Sequence, residues 1–169
     1  MIFSQEKLWK AWLPAFIWLG LIAFESTSLL SSDNTSRILY PVLHFITGVN
    51  AVRFEVWNYY IRKCGHVVGY FTLSLLLFGA WRATLPLATA PKWSIQWARV
   101  AFLMTALVAC LDEWHQTYLS SRTGSFHDVV LDSSSAGMAQ VLIFVCFLIR
   151  RSLPPSSATP VATRESFTT

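Results

Sequence analysis

Residues 112–132 read DEWHQTYLSSRTGSFHDVVLD, and their reading decides the fold. The stretch holds Asp112, Glu113, His115, Gln116, Arg122, His127, Asp128 and Asp132, with an apolar run on either side. An ionisable side chain at bilayer depth costs about 2.5–3.5 kcal/mol on insertion scales. A membrane helix that ends in Asp-Glu, followed by one that opens with two Asp, must therefore find partners for them. The two runs read as membrane spans, and the polar stretch between them reads as a functional site.

The rest of the chain agrees. Its 169 residues are 54% hydrophobic and only 13% charged, about half the ~25% charged share of a soluble protein. Long apolar runs joined by short polar loops describe one all-α, polytopic membrane domain with four transmembrane helices. The net charge of +4 is spread out without a basic block, which argues against nucleic-acid binding and leaves membrane lipids as the expected partners. Cys64, Cys110 and Cys146 are odd in number and lack motif spacing, so neither a disulfide framework nor a zinc cage is expected. They read as buried free thiols. No cofactor is implied.

The third span runs from about Ala98 to Leu119 and the fourth from about His127 to Ile149. Asp112, Glu113 and Gln116 share one helical face, and Asp128, Asp132 and Ser135 share another. Trp114 and Tyr118 suit the interface. Ser133, Ser134, Ala136, Gly137 and Ala139 are small enough for close helix packing. Ser120 to Phe126 reads as a tight turn in which Gly124 supplies conformational freedom.

The second span runs from about Lys63 to Trp81, with Lys63, His66 and Tyr70 on one face at i, i+3, i+7. The first, Trp9 to Phe24, follows a cytoplasmic start over residues 1–8 and carries Pro14 near its first turn. No small-x-small cleavage site follows it, so it reads as a span and not a signal peptide. In the connection 25–61, Ser31, Asp33, Asn34 and Ser36 read as cap and turn residues. Arg37–Thr47 and Val52–Ile61 read as two short interfacial helices, with Trp57, Tyr59 and Tyr60 in an aromatic belt. His44 reads as an interfacial histidine with an ordinary hydrogen bond. Residues 82–97 form a loop, and the Ser/Pro/Thr tail 152–169 reads as disordered.

Basic residues suggest the orientation. Eight Lys and Arg fall on the side of the termini and five on the other. The expected placement is multi-pass in the cytoplasmic membrane with both termini inside. The start of the second span, the end of the third and the start of the fourth then meet at the outer face, so that Lys63, His66, Asp112, Glu113, Gln116, Arg122, Asp128 and Asp132 converge.

These residues resemble the VanZ-like membrane protein family. Its pattern is a Lys-x-x-His-x-x-x-Tyr element, then Asp-Glu-x-x-Gln, then Arg-Thr-Gly, an Asp, and an Asn or Asp four residues on. Here those are Lys63, His66, Tyr70; Asp112, Glu113, Gln116; Arg122, Thr123, Gly124; Asp128 and Asp132. Arg62 stands where many members carry Asp, Asp132 where many carry Asn, and Ser135 where Gly is common. The likeness spans roughly residues 10–150. It implies a bacterial cell-envelope protein; the founding member is linked to resistance to teicoplanin, a lipid-bearing glycopeptide antibiotic.

Three readings of the cluster follow. A lipid-linked or lipoglycopeptide ligand can approach sideways, with Arg122 and Lys63 pairing to phosphate or carboxylate groups and Glu113, Asp128 and Asp132 meeting hydroxyls or amines. Alternatively, His66 with Glu113 or Asp128 forms a general acid–base pair for a lipid-linked substrate. Carboxylates with a histidine can also hold a divalent metal. No metal ligands are assigned, however, because His115 turns away from the Asp112–Gln116 face and no HExxH, nucleophile elbow or P-loop is present. Lastly, pairs such as Lys63–Asp112 and Arg122–Asp128 can simply pin helices, at about 0.6–2 kcal/mol for each intramembrane hydrogen bond. A proton relay through Asp132 and Glu113 also fits, in a chain short for an internally repeated transporter.

Overall fold

The computed structural model of the chain describes residues 2–85, 93–120 and 122–152, with the side chains of residues 2–4 and Asp33 left aside. The expected disordered tail lies outside the described residues except for Ser152, as does the middle of the 82–97 loop. Helix α1 is Ile2–Glu25, a 3-10 turn covers Ser28–Leu30, α2 is Ser32–Thr47, α3 is Ala51–Thr84, α4 is Ile95–Gln116 and α5 is Phe126–Ser152. No strand occurs among the described residues. Helices α1, α3, α4 and α5 are long and apolar enough to cross a membrane.

Local chemistry sets most boundaries. Ser31 caps α2 by accepting from the Asn34 amide, Asn50 caps α3 through the Arg53 amide, and Ser94 caps α4 through the Gln96 amide. Each satisfies one amide that the first helical turn leaves open. Gly48, at φ 67°, ends α2 in the left-handed conformation that glycine adopts without penalty.

Two boundaries differ most from expectation, beside smaller shifts that put residues 82–84 in α3 and residues 95–97 in α4. Val52–Ile61 is not a separate interfacial helix; it is the opening of α3, which runs unbroken for 34 residues. No proline interrupts it, and Lys63, where the span was expected to begin, finds its partner inside the protein, as does Arg62 beside it. At about 1.5 Å per residue α3 is about 51 Å long, against about 30 Å of hydrocarbon. Its first turns therefore continue past the ends of the other spans, where α2 packs on them. Phe54 is buried edge-to-face on Tyr40 at 5.2 Å, and Asn58 Nδ2 donates to Ser32 Oγ at 3.0 Å. The second difference is in α1, which starts well before Trp9, so that Pro14 sits inside the helix and not in its first turn. The polar start joins the helix, with Lys10 paired to Glu6 one turn back at 2.7 Å.

Helix α3 is the hub. It packs against α1, α4, α5 and α2, while α4 also packs on α5. Its buried Leu73 and Leu77 join Ile22 of α1 and Ala101 and Ala109 of α4 in the core. The small face of α5 does its expected work through buried Ser135, Ala136 and Ala139, whereas Ser134 is exposed. This close approach lets Ser74 Oγ donate to the Ala136 carbonyl at 3.1 Å and Gln140 Nε2 donate to Ser74 Oγ at 2.7 Å.

The outer surface is apolar. Leu103, Leu107 and Leu111 of α4 form an exposed stripe, as do Met138, Val141 and Val145 on α5. Such faces are stable only against lipid or another apolar surface. The three cysteines belong to this surface: all are exposed from the protein, not buried. A thin bundle can leave an apolar thiol against lipid, so the burial habit of soluble cores does not carry over. Helix α2 presents Ile38, Val42 and Phe45, the last 91% exposed, as one apolar stripe suited to the interface.

Candidate functional site

The end of α1 at Glu25, the end of α4 at Gln116 and the start of α5 at Phe126 gather beside the segment of α3 that carries Lys63, His66 and Tyr70. The i, i+3, i+7 spacing turns those three residues toward α4 and α5. Lys63 Nζ donates to Asp128 Oδ1 as an ion pair. His66 Nδ1 lies 3.2 Å from Asp132 Oδ2. Tyr70 OH donates to Asp112 Oδ2 at 2.9 Å, and Gln116 Nε2 donates to the same oxygen at 3.2 Å. Glu113 Oε2 accepts from the Ser125 amide at 2.7 Å. Eight of the residues singled out by spacing are thus joined in one cluster.

The pairings differ from those expected. Lys63 meets Asp128 and not Asp112, because α5 lies against α3 through its small residues and brings Asp128 to that face. His66 is bonded to Asp132, one turn deeper, and not to Glu113 or Asp128. Arg122 makes no pair with Asp128. Its Nη2 donates to the carbonyls of Glu25, Thr27 and Leu30 at 2.5, 3.2 and 2.9 Å. It thereby ties the α4–α5 turn to the segment after α1. Burial and the neighbouring Arg62 lower its proton affinity, Asp112, Glu113 and Glu25 oppose them, and arginine stays a cation at neutral pH.

Gly124 acts differently from expectation as well. Its φ is not left-handed. A Cβ there would lie 2.5 Å from the Glu113 carbonyl oxygen and 2.5 Å from Thr117 Cγ2. The glycine is needed for close approach of the turn to α4. Arg62, marked in the sequence as a departure from the family pattern, joins the site by donating Nη1 to the Leu30 carbonyl at 2.9 Å. Ser125 contributes its backbone amide, for which no side-chain pattern exists. His115 and His127 are exposed, and His44 bonds the Val49 carbonyl at 2.8 Å outside the cluster.

Two clefts adjoin the cluster. One, of about 240 Å³, is largely polar and lined by Glu55, Lys63, Thr123 and Asp128. The other, also about 240 Å³, is mostly apolar and lined by Leu30, Ile61 and Gly65. Arg62, His66 and Arg122 line both.

Beneath them the acids are close together. Glu113 is 4% exposed and Asp132 0%. A ring nitrogen of His66 and one carboxylate oxygen from each of these acids all lie within 4.8 Å of one another. A metal-competent group therefore exists where the sequence assigned none.

A profile of the VanZ/LLP1 family matches residues 11–149. The chain belongs to the VanZ/LLP1 family. No curated protein and no solved structure matches it.

The matched region of this VanZ/LLP1 protein contains every residue of the cluster. Within its Arg-Thr-Gly element the guanidinium is the part that can be tested most simply. Arg122→Lys keeps the charge but replaces a planar fork of donors by one ammonium. Hydrogen bonds to a charged group contribute about 1.5–3 kcal/mol, so the variant should unfold in detergent at a clearly lower temperature than the wild type. An unchanged midpoint would mean that the three carbonyls are satisfied without Arg122.

Proposed function

We propose that this VanZ/LLP1 protein sits in the bacterial cytoplasmic membrane with its termini inside and takes an amphiphilic envelope molecule, lipid-linked or lipoglycopeptide, by its polar head at the outer face. The observation that carries the reading is the meeting of a polar and an apolar cleft of equal size at Arg62, His66 and Arg122. A molecule with a charged head and an acyl tail needs those two surfaces side by side. Arg62 and Lys63 suit phosphate or carboxylate groups, Asp128 suits hydroxyls or amines, and the exposed Trp114–Tyr118 ring pair suits a sugar or peptide face.

The test has two arms. In a susceptible Gram-positive host, teicoplanin and vancomycin sensitivity is compared for empty vector, wild type, Glu113→Gln and Asp128→Asn, with membrane levels checked by immunoblot. Protection by the wild type against the lipid-bearing drug alone, lost in equally abundant variants, is the expected result; no change in sensitivity removes the antibiotic role. In the second arm, tryptophan fluorescence of the purified protein is followed on adding a short-chain lipid phosphate or the same lipid with a neutral head. Equal responses to the two would sink the headgroup reading.

The His66–Asp132 contact favours one second reading. A carboxylate that orients an imidazole is the arrangement an acid–base hydrolase of a lipid-linked substrate needs. Release of phosphate from the bound lipid, lost in His66→Gln, would select it over handling alone.

A further inference from the structure

We propose that His66, Glu113 and Asp132 form a binding site for one divalent transition-metal ion of the zinc or manganese type. The inference starts from charge and hydrogen bonding. Two carboxylates stand within 4.8 Å of each other in a buried place, where their repulsion is poorly screened. Each has one oxygen engaged, Glu113 Oε2 by the Ser125 amide and Asp132 Oδ2 by His66. The other oxygen of each, Glu113 Oε1 and Asp132 Oδ1, is buried without a hydrogen-bond partner among the described residues. A buried acceptor is seldom left so, and here two are left so in one cluster.

The neighbouring groups do not fill the gap. The Lys63 ammonium is taken by Asp128, and the Tyr70 hydroxyl and Gln116 amide donate to Asp112 Oδ2. Arg62 Nη1 and Arg122 Nη2 donate to backbone carbonyls, and the buried Arg122 Nε donates to no acceptor among the described residues, these two oxygens included. What remains is one imidazole and two carboxylates facing one another.

Geometry and ligand type point to the same ion class. Ligands about 2.0–2.2 Å from a tetrahedral metal stand about 3.4 Å apart. The 3.2 Å separation of His66 Nδ1 from Asp132 Oδ2 already matches one such edge, and it is long for a charge-assisted hydrogen bond of about 2.7–2.9 Å. A Glu113 oxygen lies within 4.8 Å of both, so the carboxylate closes the face by moving toward the ion. An imidazole among the ligands favours zinc over calcium and magnesium, which take oxygen, while the two carboxylates also suit manganese. Three protein ligands leave at least one position open. Of the three ligands, His66 lines both clefts, which puts the site next to them. The site nevertheless stands apart from the amphiphile reading, because metal uptake is measured without lipid.

The full chain is purified in detergent, stripped with a chelator, and titrated with Zn2+, Mn2+ and Co2+, with metal content read by mass spectrometry. The expected result is one equivalent per chain, a higher unfolding midpoint on loading, and a visible Co2+ absorption band perturbed by imidazole. His66→Gln, Glu113→Gln and Asp132→Asn should each weaken binding at least tenfold, while His127→Gln, at an exposed histidine outside the cluster, should still load. If one of the acid variants fails to fold, the Co2+ band of the wild type and the remaining variants decide. A wild-type chain that takes up no metal overturns the proposal in favour of a proton shared between the acids. Equal uptake by wild type and all three ligand variants also overturns it, as adventitious binding.

Discussion

Gly124→Ala should leave little folded protein in the membrane. The added Cβ would stand 2.5 Å from the Glu113 carbonyl oxygen, a backbone atom held in the last turn of α4, and 2.5 Å from Thr117 Cγ2. A side chain can swing aside; the carbonyl cannot move without carrying Glu113 with it. Forcing extra volume into a packed place costs about 1–3 kcal/mol and occasionally more, and the rigid neighbour places this case at the upper end. The displaced turn also holds Arg122 and the Ser125 amide, so their hydrogen bonds fail together. Gly79→Ala is the matched comparison. Nothing lies within 4 Å of a Cβ there, and inside a helix the change should add up to about 1 kcal/mol of helix propensity. Size-exclusion profiles of fluorescent fusions would show both effects. A normal profile for Gly124→Ala would mean that the turn does not need its close seat on α4.

The second large effect concerns Lys63. The side chains of Lys63 and Asp128 are 26% and 19% exposed, so the ion pair is mostly withdrawn from water. Breaking a fully buried pair from one side costs about 3–5 kcal/mol, because the remaining charge is stranded, and this part-buried pair should lose a smaller share of that. Lys63→Met strands Asp128 beside Glu113 and Asp132 and should lower the unfolding midpoint strongly. Combining it with Asp128→Leu removes both charges and should recover most of the loss. Equal stability of Lys63→Met and the wild type would show that water or another group already serves Asp128. The double variant also separates two roles: if it is stable yet silent in the antibiotic and lipid assays, the pair serves a ligand as well as the fold.

Helical spacing made the members of the cluster legible without coordinates. Lys63, His66 and Tyr70 had to share a face, as did Asp112 with Gln116 and Asp128 with Asp132, and four spans put the three faces at one end. Spacing along one helix says nothing about rotation of the next helix, so the partners were not legible. Asp128 meets Lys63 because α5 seats on α3 through the Ser74–Ala136 and Gln140–Ser74 hydrogen bonds. The ties of Arg122 to Glu25, Thr27 and Leu30 end on carbonyls, and the Glu113 bond to Ser125 begins on an amide; residue types carry no trace of either. The continuity of α3 was hidden for a different reason. Arg62 and Lys63 look like the watery start of a span, and only their partners inside the protein explain how a helix runs through them. Gly124 was marked as special, but the sequence cannot tell a glycine that must bend from one that must leave room.

The unbroken α3 has a consequence for how this chain can change over generations. One helix carries Asn58 against α2, Lys63 and His66 against α5, Tyr70 against α4, and Ser74 against the small residues of α5. Each residue inserted or deleted between them turns everything on one side by about 100° relative to the other. A loop would absorb such a change locally, but a helix passes it on to every contact beyond. Between Asn58 and Ser74, a changed residue count should be tolerated only where a π-bulge absorbs it.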